Sequence, residues 1–298
     1  RSSLYSFIQF IQQRFFSFSF LPFSPLSFSL SFSFSFLSPF SPLSLFPFLF
    51  LSSIYAVIAI YSDSQGNNDI HKQMVEAIIN YQPDITFHLG DLTAQGKKQE
   101  EYDEFFSCCK PLTDLCPLYP VKGNHDASSE LFLKNFPFLS QTYYTVEYDS
   151  LLFIILDSTL ELSPHSEQFN WLIETFNSNP LKPKIILMHH PIFSSGYHSG
   201  NEDWALYLPA LFASNKVIAV FSGHDHNYEH LQWKNLNFFI SGGAGGSLRP
   251  SLSQHPYSKI FCSSYNYLIL NHQKNYLICT AYSLDGDIID KVVIFLDF

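Results

Sequence analysis

The sequence predicts an α/β fold of two facing mixed β-sheets flanked by helices, and three observations carry that prediction. Five apolar runs of strand length, at residues 55–61, 85–89, 118–121, 184–188 and 217–221, each stop at or just before a short segment of Asp, Asn, His or Gly. The first half alternates such runs with stretches of helical period, the order of βαβ units. Past Tyr228 the chain reads mostly as strands.

After the first strand, residues 69–81 place Ile70, Met74, Ala77, Ile78 and Tyr81 on a helical period, and Pro83 stops it. Residues 97–108, 165–176 and 201–213 read as further helices. Residues 143–147 and 151–156, joined around Asp149-Ser150, read as a β-hairpin. Strands are expected at 237–240, 265–271, 276–282 and 288–295.

The chemistry sits where the strands end. Gly90-Asp91, Gly123-Asn124-His125-Asp126, His189-His190-Pro191 and Gly223-His224-Asp225-His226, together with Asp63, bring carboxylates, an amide oxygen and imidazoles to five strand-to-loop junctions. Those are the ligand types that hold borderline divalent metals. Asp91 has two carboxylate oxygens, so it can bridge metals separated by roughly 3.5–4 Å, the spacing of two-metal hydrolases. His224 and His226 alternate, so on an extended segment they would point the same way and address the two metals separately. Two cations sharing a water lower its pKa and clamp phosphoryl oxygens, which points to hydrolysis of a phosphate ester.

As an ordered set, Asp63, Gly90-Asp91, Gly123-Asn124-His125-Asp126, His189 and Gly223-His224-Asp225-His226 resemble the motifs of the calcineurin-like metallophosphoesterases. Residues 186–198 and 221–230 are most similar to the branch containing the purple acid phosphatases. The resemblance covers residues 54–298, including 168–171 and the glycine segment 241–246. It implies a four-layer sandwich and a metal-activated hydroxide attacking phosphorus. By position, it implies one metal on Asp63, Asp91 and His226 and the other on Asp91, Asn124, His189 and His224. It also implies that His125 contacts the phosphate or protonates the leaving oxygen, and that His198 lies near the substrate.

Two departures from the family pattern shape the expectation. Where much of the family has Asp-x-His, this chain has Asp63-Ser64-Gln65, and an amide oxygen is a poorer transition-metal ligand than imidazole. Gln65 is therefore expected beside the metal held by Asp63, as a weak ligand or a hydrogen-bond partner of bound water. The tyrosine that colours the purple enzymes falls at Ala94, so the protein should not be purple. Its two divalent ions are expected to be Mn, Zn or Fe.

Other candidates carry plainer expectations. His88 reads as a core histidine, and His71, His165, His230, His255 and His272 as surface or packing residues. His190 would point away from the neighbouring ligand position while supporting the site. Asp126 and Asp225 either tie loop amides or orient histidines.

Composition narrows the function further. The formal charge is −10, and the first 53 residues add two arginines and no acid, so the remainder is more acidic still. Such a surface disfavours nucleic acid as a partner, while a small phosphate ester remains accessible once dications offset the charge locally. Residues 1–53 are dominated by Phe, Ser, Leu and Pro, types with pyrimidine-rich codons. They are expected to be a disordered or spuriously translated segment, and residues 54–298 the catalytic domain. Prolines preceding residue 50 argue against a spanning helix, so no membrane association is expected of the folded domain. Five cysteines without a regular framework favour a cytoplasmic over a secreted protein. The sequence thus predicts a binuclear metal-dependent phosphoesterase with monoesters favoured. Its alternatives are a phosphodiesterase and a catalytically weak metal- or phosphate-binding sensor.

Overall fold

The run Ala-Val-Ile-Ala-Ile-Tyr forms β1 (Ala56–Tyr61), buried along almost its whole length, as suits a strand covered on both faces. The computed structural model describes residues 56–296, so the expectations for residues 1–53 lie outside the described residues. β1 pairs in parallel with β2 (Ile85–His88), and β2 with β3 (Leu118–Pro120). On its other side, antiparallel β11 (Asn266–Gln273), β12 (Tyr276–Ser283) and β13 (Ile288–Phe295) complete a six-stranded sheet in the order β13-β12-β11-β1-β2-β3.

A seven-stranded sheet faces it. β5 (Leu151–Leu156), β6 (Lys184–Met188), β7 (Val217–Ser222) and β9 (Leu236–Ser241) run parallel. β4 (Tyr144–Tyr148), β8 (Tyr228–Trp233) and β10 (Ser258–Cys262) are antiparallel to their neighbours, giving the order β10-β8-β9-β7-β6-β5-β4. The expected hairpin joins β4 to β5 through Asp149 and Ser150, both at positive φ (45° and 66°), the backbone that matches strand twist in a two-residue turn.

Three apolar layers make the four-layer sandwich. Between the sheets, Ile58, Ile60 and Phe87 meet Phe153, Ile185 and Phe221, with the Phe87 and Phe153 rings stacked at 4.5 Å. Outside the first sheet, Tyr61 and Ile269 pack on α1 (Asn68–Ile79) and α2 (Gln99–Leu115) through Met74, Ile78, Phe105 and Leu112, and α3 (Ser129–Asn135) adds Phe132. Outside the second sheet, Ile154, Ile186 and Val220 pack on α4 (Glu167–Ser178) and α6 (Leu208–Ser214) through Leu172, Phe176 and Phe212. A short α5 (Glu202–Ala205) precedes α6.

Several boundaries differ from expectation for physical reasons. α2 runs to Leu115, through Pro111, because Tyr102, Phe105, Cys109 and Leu112 continue one buried stripe. The expected helix at 201–213 divides into α5 and α6, and Pro209 occupies the first turn of the second piece. α3, β8 and β10 were not among the expected elements. All five cysteines are free thiols. Among the described residues no helix is long and apolar enough to cross a membrane.

Candidate metal centre

The loops that follow β1, β2, β3, β6 and β7 meet at one edge of the sandwich. His189, at the end of β6, donates from Nδ1 to the Leu89 carbonyl after β2 at 2.9 Å, tying the two sheets together. From the loop after β7, the His224 N–H reaches Asp63 Oδ2 at 2.9 Å. The chain turns sharply to present these groups: Asp63, Asp91 and His224 have φ of 60°, 55° and 69°. Left-handed backbone outside glycine costs of order 1 kcal/mol per residue and concentrates at functional sites. Close approach requires glycine at Gly123 and Gly223, among others. A Cβ on Gly123 would overlap Asp91, and one on Gly223 would overlap Ser62 and Asp63.

Asp91 is the hub of the cluster. Its Oδ2 lies 3.3 Å from His189 Nε2 and accepts from Gln65 Nε2 at 3.2 Å, while Oδ1 accepts the His125 N–H at 2.8 Å. Asp63, Asp91 and His189 each offer a ligand atom within 4.8 Å of the others, and all three are buried. On one side His226 Nε2 stands 3.6 Å from Asp63 Oδ1, its Nδ1 fixed by the Ser247 carbonyl at 2.8 Å. On the other, Asn124 Oδ1 lies 3.0 Å from His189 Nε2, and the His224 ring is 5.1 Å from the His189 ring. His198 packs its ring 4.2 Å from that of His224. His125 is half exposed, with Nδ1 donating to the Ala94 carbonyl at 2.6 Å and Nε2 4.0 Å from Asp91 Oδ2. Asp63, Gln65, Asp91, Asn124, His125, His189, His198, His224 and His226 thus meet at this edge.

His224 and His226 get there differently from expectation. The segment is a tight turn in which Asp225 N bonds the Gly223 carbonyl and Asn227 N bonds the Asp225 carbonyl, both at 2.8 Å, and not an extended stretch. The left-handed His224 sends its ring toward His189 while His226 goes to Asp63. His190 also departs from the expectation that it would face away. The strand has ended by then, so side-chain alternation no longer holds, and the His190 ring lies 4.4 Å from that of His224. His189, His190 and His224 form a second group with ligand atoms within 4.8 Å. The buried Ser158 hydroxyl contacts His190 Nδ1 at 2.8 Å, a partner 32 residues away that nothing in the sequence marked.

Asp126 and Asp225 serve loop amides. Asp126 accepts from the backbone of Leu92, Thr93 and Gly123, clamping the loops after β2 and β3. Asp225 accepts the His198 N–H at 3.0 Å and the Ser194 hydroxyl, so it positions the His198 loop. Arg249, unnoticed in the sequence, contacts His198 Nε2 and lies over the Tyr197 ring. His88 is the expected core histidine, bonded to Ser64 Oγ at 3.0 Å.

The electrostatics suit cation binding. Burial, reinforced by His189, His190 and His198, pulls His224 down to about 2, and burial and His189 pull His190 down to about 3. Both rings are therefore neutral at physiological pH, the form that coordinates metals. Burial alone would raise Asp91, but His189 and the His125 N–H hold it below the usual carboxylate range. Asp63 Oδ1 and Gln65 Oε1 are buried with no hydrogen-bond partner. Desolvated oxygens without donors are costly unless a cation satisfies them, so this donor set fits divalent metals.

Comparison with known proteins bears on the family and the fold. The family model of the calcineurin-like phosphoesterases matches residues 56–228. Purple acid phosphatase 18 of Arabidopsis thaliana is 29% identical over 167 residues, covering 49% of this chain and 38% of that protein. Probable inactive purple acid phosphatase 27 of the same plant is 24% identical over 255 residues, covering 67% of this chain and 41% of its own length. The chain therefore spans less than half the length of either relative. The purple acid phosphatase PPD1 of yellow lupin has the same fold, with a TM-score of 0.69 at 17% identity over 81% of this chain and 54% of that one.

Proposed function

The chain belongs to the calcineurin-like phosphoesterase family, and from that membership we propose that it hydrolyses phosphate esters with two divalent cations, monoesters before diesters. The observation that carries the reading is Asp91: a buried carboxylate shared between the Gln65 side and the His189 side, beside the unpartnered Asp63 oxygen. Asp63, Asp91 and His226 would hold one cation, with Gln65 beside it. Asp91, Asn124, His189 and His224 would hold the other. Bound Mn, Zn or Fe would polarise the phosphoryl oxygens and acidify water.

The chain's own groups do the rest. With Nδ1–H committed to the Ala94 carbonyl, His125 keeps Nε2 on the side of Asp91, and in the protonated ring that atom gives its proton to the leaving oxygen. The oxygen of water bonds phosphorus as the ester P–O bond breaks, so phosphate and a neutral alcohol leave. His198, held by Asp225, and the neighbouring His190 border the space that substrate enters.

The preference for monoesters rests on the likeness to acid phosphatases. Free thiols support a reducing, cytoplasmic setting. The sensor reading draws its support from Gln65, a weak ligand where the family pattern has a histidine. Turnover of p-nitrophenyl phosphate and of bis(p-nitrophenyl) phosphate by metal-reconstituted protein decides among these. Hydrolysis of the monoester ahead of the diester is expected; phosphate binding without turnover of either would leave the sensor.

A further inference from the structure

Lys122 precedes Gly123-Asn124 on the loop after β3 and is only 4% exposed. Among the described residues its Nζ has one partner, the Thr159 hydroxyl at 3.0 Å. An ammonium has three N–H donors, and burying it is costly unless an anion compensates it. No carboxylate of the described residues contacts it directly. Asp157 reaches it only through Thr159, whose hydroxyl and N–H both go to Asp157 Oδ1 at 2.5 and 2.9 Å.

Lys122 lines a cavity of about 610 Å³ whose wall includes Asn124, Ser129, Ser158, Thr159 and His190. Asn124 and His190 also belong to the candidate metal centre, so the cavity opens directly beside the place where a phosphoryl group would be held. A cation, hydroxyls and an amide are groups that receive an anion. The cavity on the other side of His190, about 280 Å³, is walled instead by His198, His224 and Trp204 and has no lysine or arginine in its lining. Of the two linings, that of the larger cavity is the one that holds a cationic side chain.

We propose that Lys122 is a specificity-determining residue that receives a second phosphate, carried by the leaving group of the substrate. The preferred substrate class is then a bisphosphate, of which one phosphate reaches the metal centre and the other reaches Lys122. This rests on the phosphoesterase reading of the adjacent centre.

A matched pair tests it: propane-1,3-diol bisphosphate against propane-1,3-diol monophosphate, with the full chain in Mn²⁺. We expect kcat/KM to favour the bisphosphate by about tenfold, mostly through KM, as a charge-assisted contact would give. In Lys122→Met the ratio should fall toward one, and Lys122→Arg should retain most of it. A lysine that merely anchored residues 157–160 would alter both substrates alike and leave the ratio unchanged. Binding of propane-1,3-bisphosphonate and propylphosphonate by calorimetry supplies a readout without turnover. If the wild type hydrolyses both esters with a ratio near one, the inference is overturned while the phosphoesterase reading stands. If neither ester is hydrolysed but the bisphosphonate binds more tightly in a Lys122-dependent way, the phosphoesterase reading fails and the anion subsite stands.

Discussion

Asp91 Oδ2 and His189 Nε2 lie 3.3 Å apart, although one residue follows a strand of the six-stranded sheet and the other a strand of the seven-stranded sheet. The contact places the hub carboxylate at the junction of the two sheets. Asp91→Asn keeps the size of the side chain and removes its charge. Metal content should drop from two to one or none per chain, with loss of activity. Elemental analysis finding two tightly bound ions in an active variant would contradict the bridging role.

Gln65 sits where a stronger ligand is common in the family, with Nε2 on Asp91 and Oε1 buried without a partner. Gln65→His should raise affinity at the Asp63 side, and Gln65→Ala should weaken that side modestly and leave the other intact. Metal titrations of both variants read this. Unchanged affinity and activity in both would place Gln65 outside the working site.

His125 makes no contact that would be lost with a ligand, since Nδ1 is spent on a backbone carbonyl. His125→Ala should keep two metals while kcat falls by about 10²–10⁴. The loss should be smaller for aryl phosphates, whose leaving oxygens need little protonation. Equal losses for aryl and alkyl esters would argue against proton donation from Nε2.

His71 gives the fold a pH dependence away from the centre. Burial pulls it down to about 3, and its ring stacks on Phe105 at 5.3 Å. Its folded pKa is depressed, so between about pH 6.5 and 3 the unfolded chain binds a proton that the folded chain does not. Stability from this group is therefore present above pH 6.5 and lost as the pH falls, by up to about 1.4 kcal/mol per unit. In metal-free protein, His71→Phe should flatten that slope between pH 6 and 4, measured by urea denaturation. An identical slope would show that other groups carry it.

Much of the fold was legible because the central strands are buried on both faces and leave continuous apolar runs, as in β1, β5 and β7. The missed elements lack that signature. α3 buries only Phe132, too little to show a helical period, and β8 mixes the buried polar residues Glu229 and His230 into its run. The candidate site was legible as a set because each residue follows a strand end. Its arrangement was not, since it depends on backbone turns that only the folded loops impose. The left-handed His224 and the break in alternation at His190 are of that kind. Lys122 escaped notice because its meaning lies in Thr159 and a cavity 37 residues away in sequence.

The most direct test of the account is the metal content of the purified chain measured together with its hydrolysis of p-nitrophenyl phosphate, before and after chelation. The account predicts two divalent ions per chain, activity abolished when they are removed, and recovery when Mn²⁺, Zn²⁺ or Fe²⁺ is restored. Undiminished hydrolysis by metal-free protein, or no hydrolysis by protein holding both ions, would contradict it.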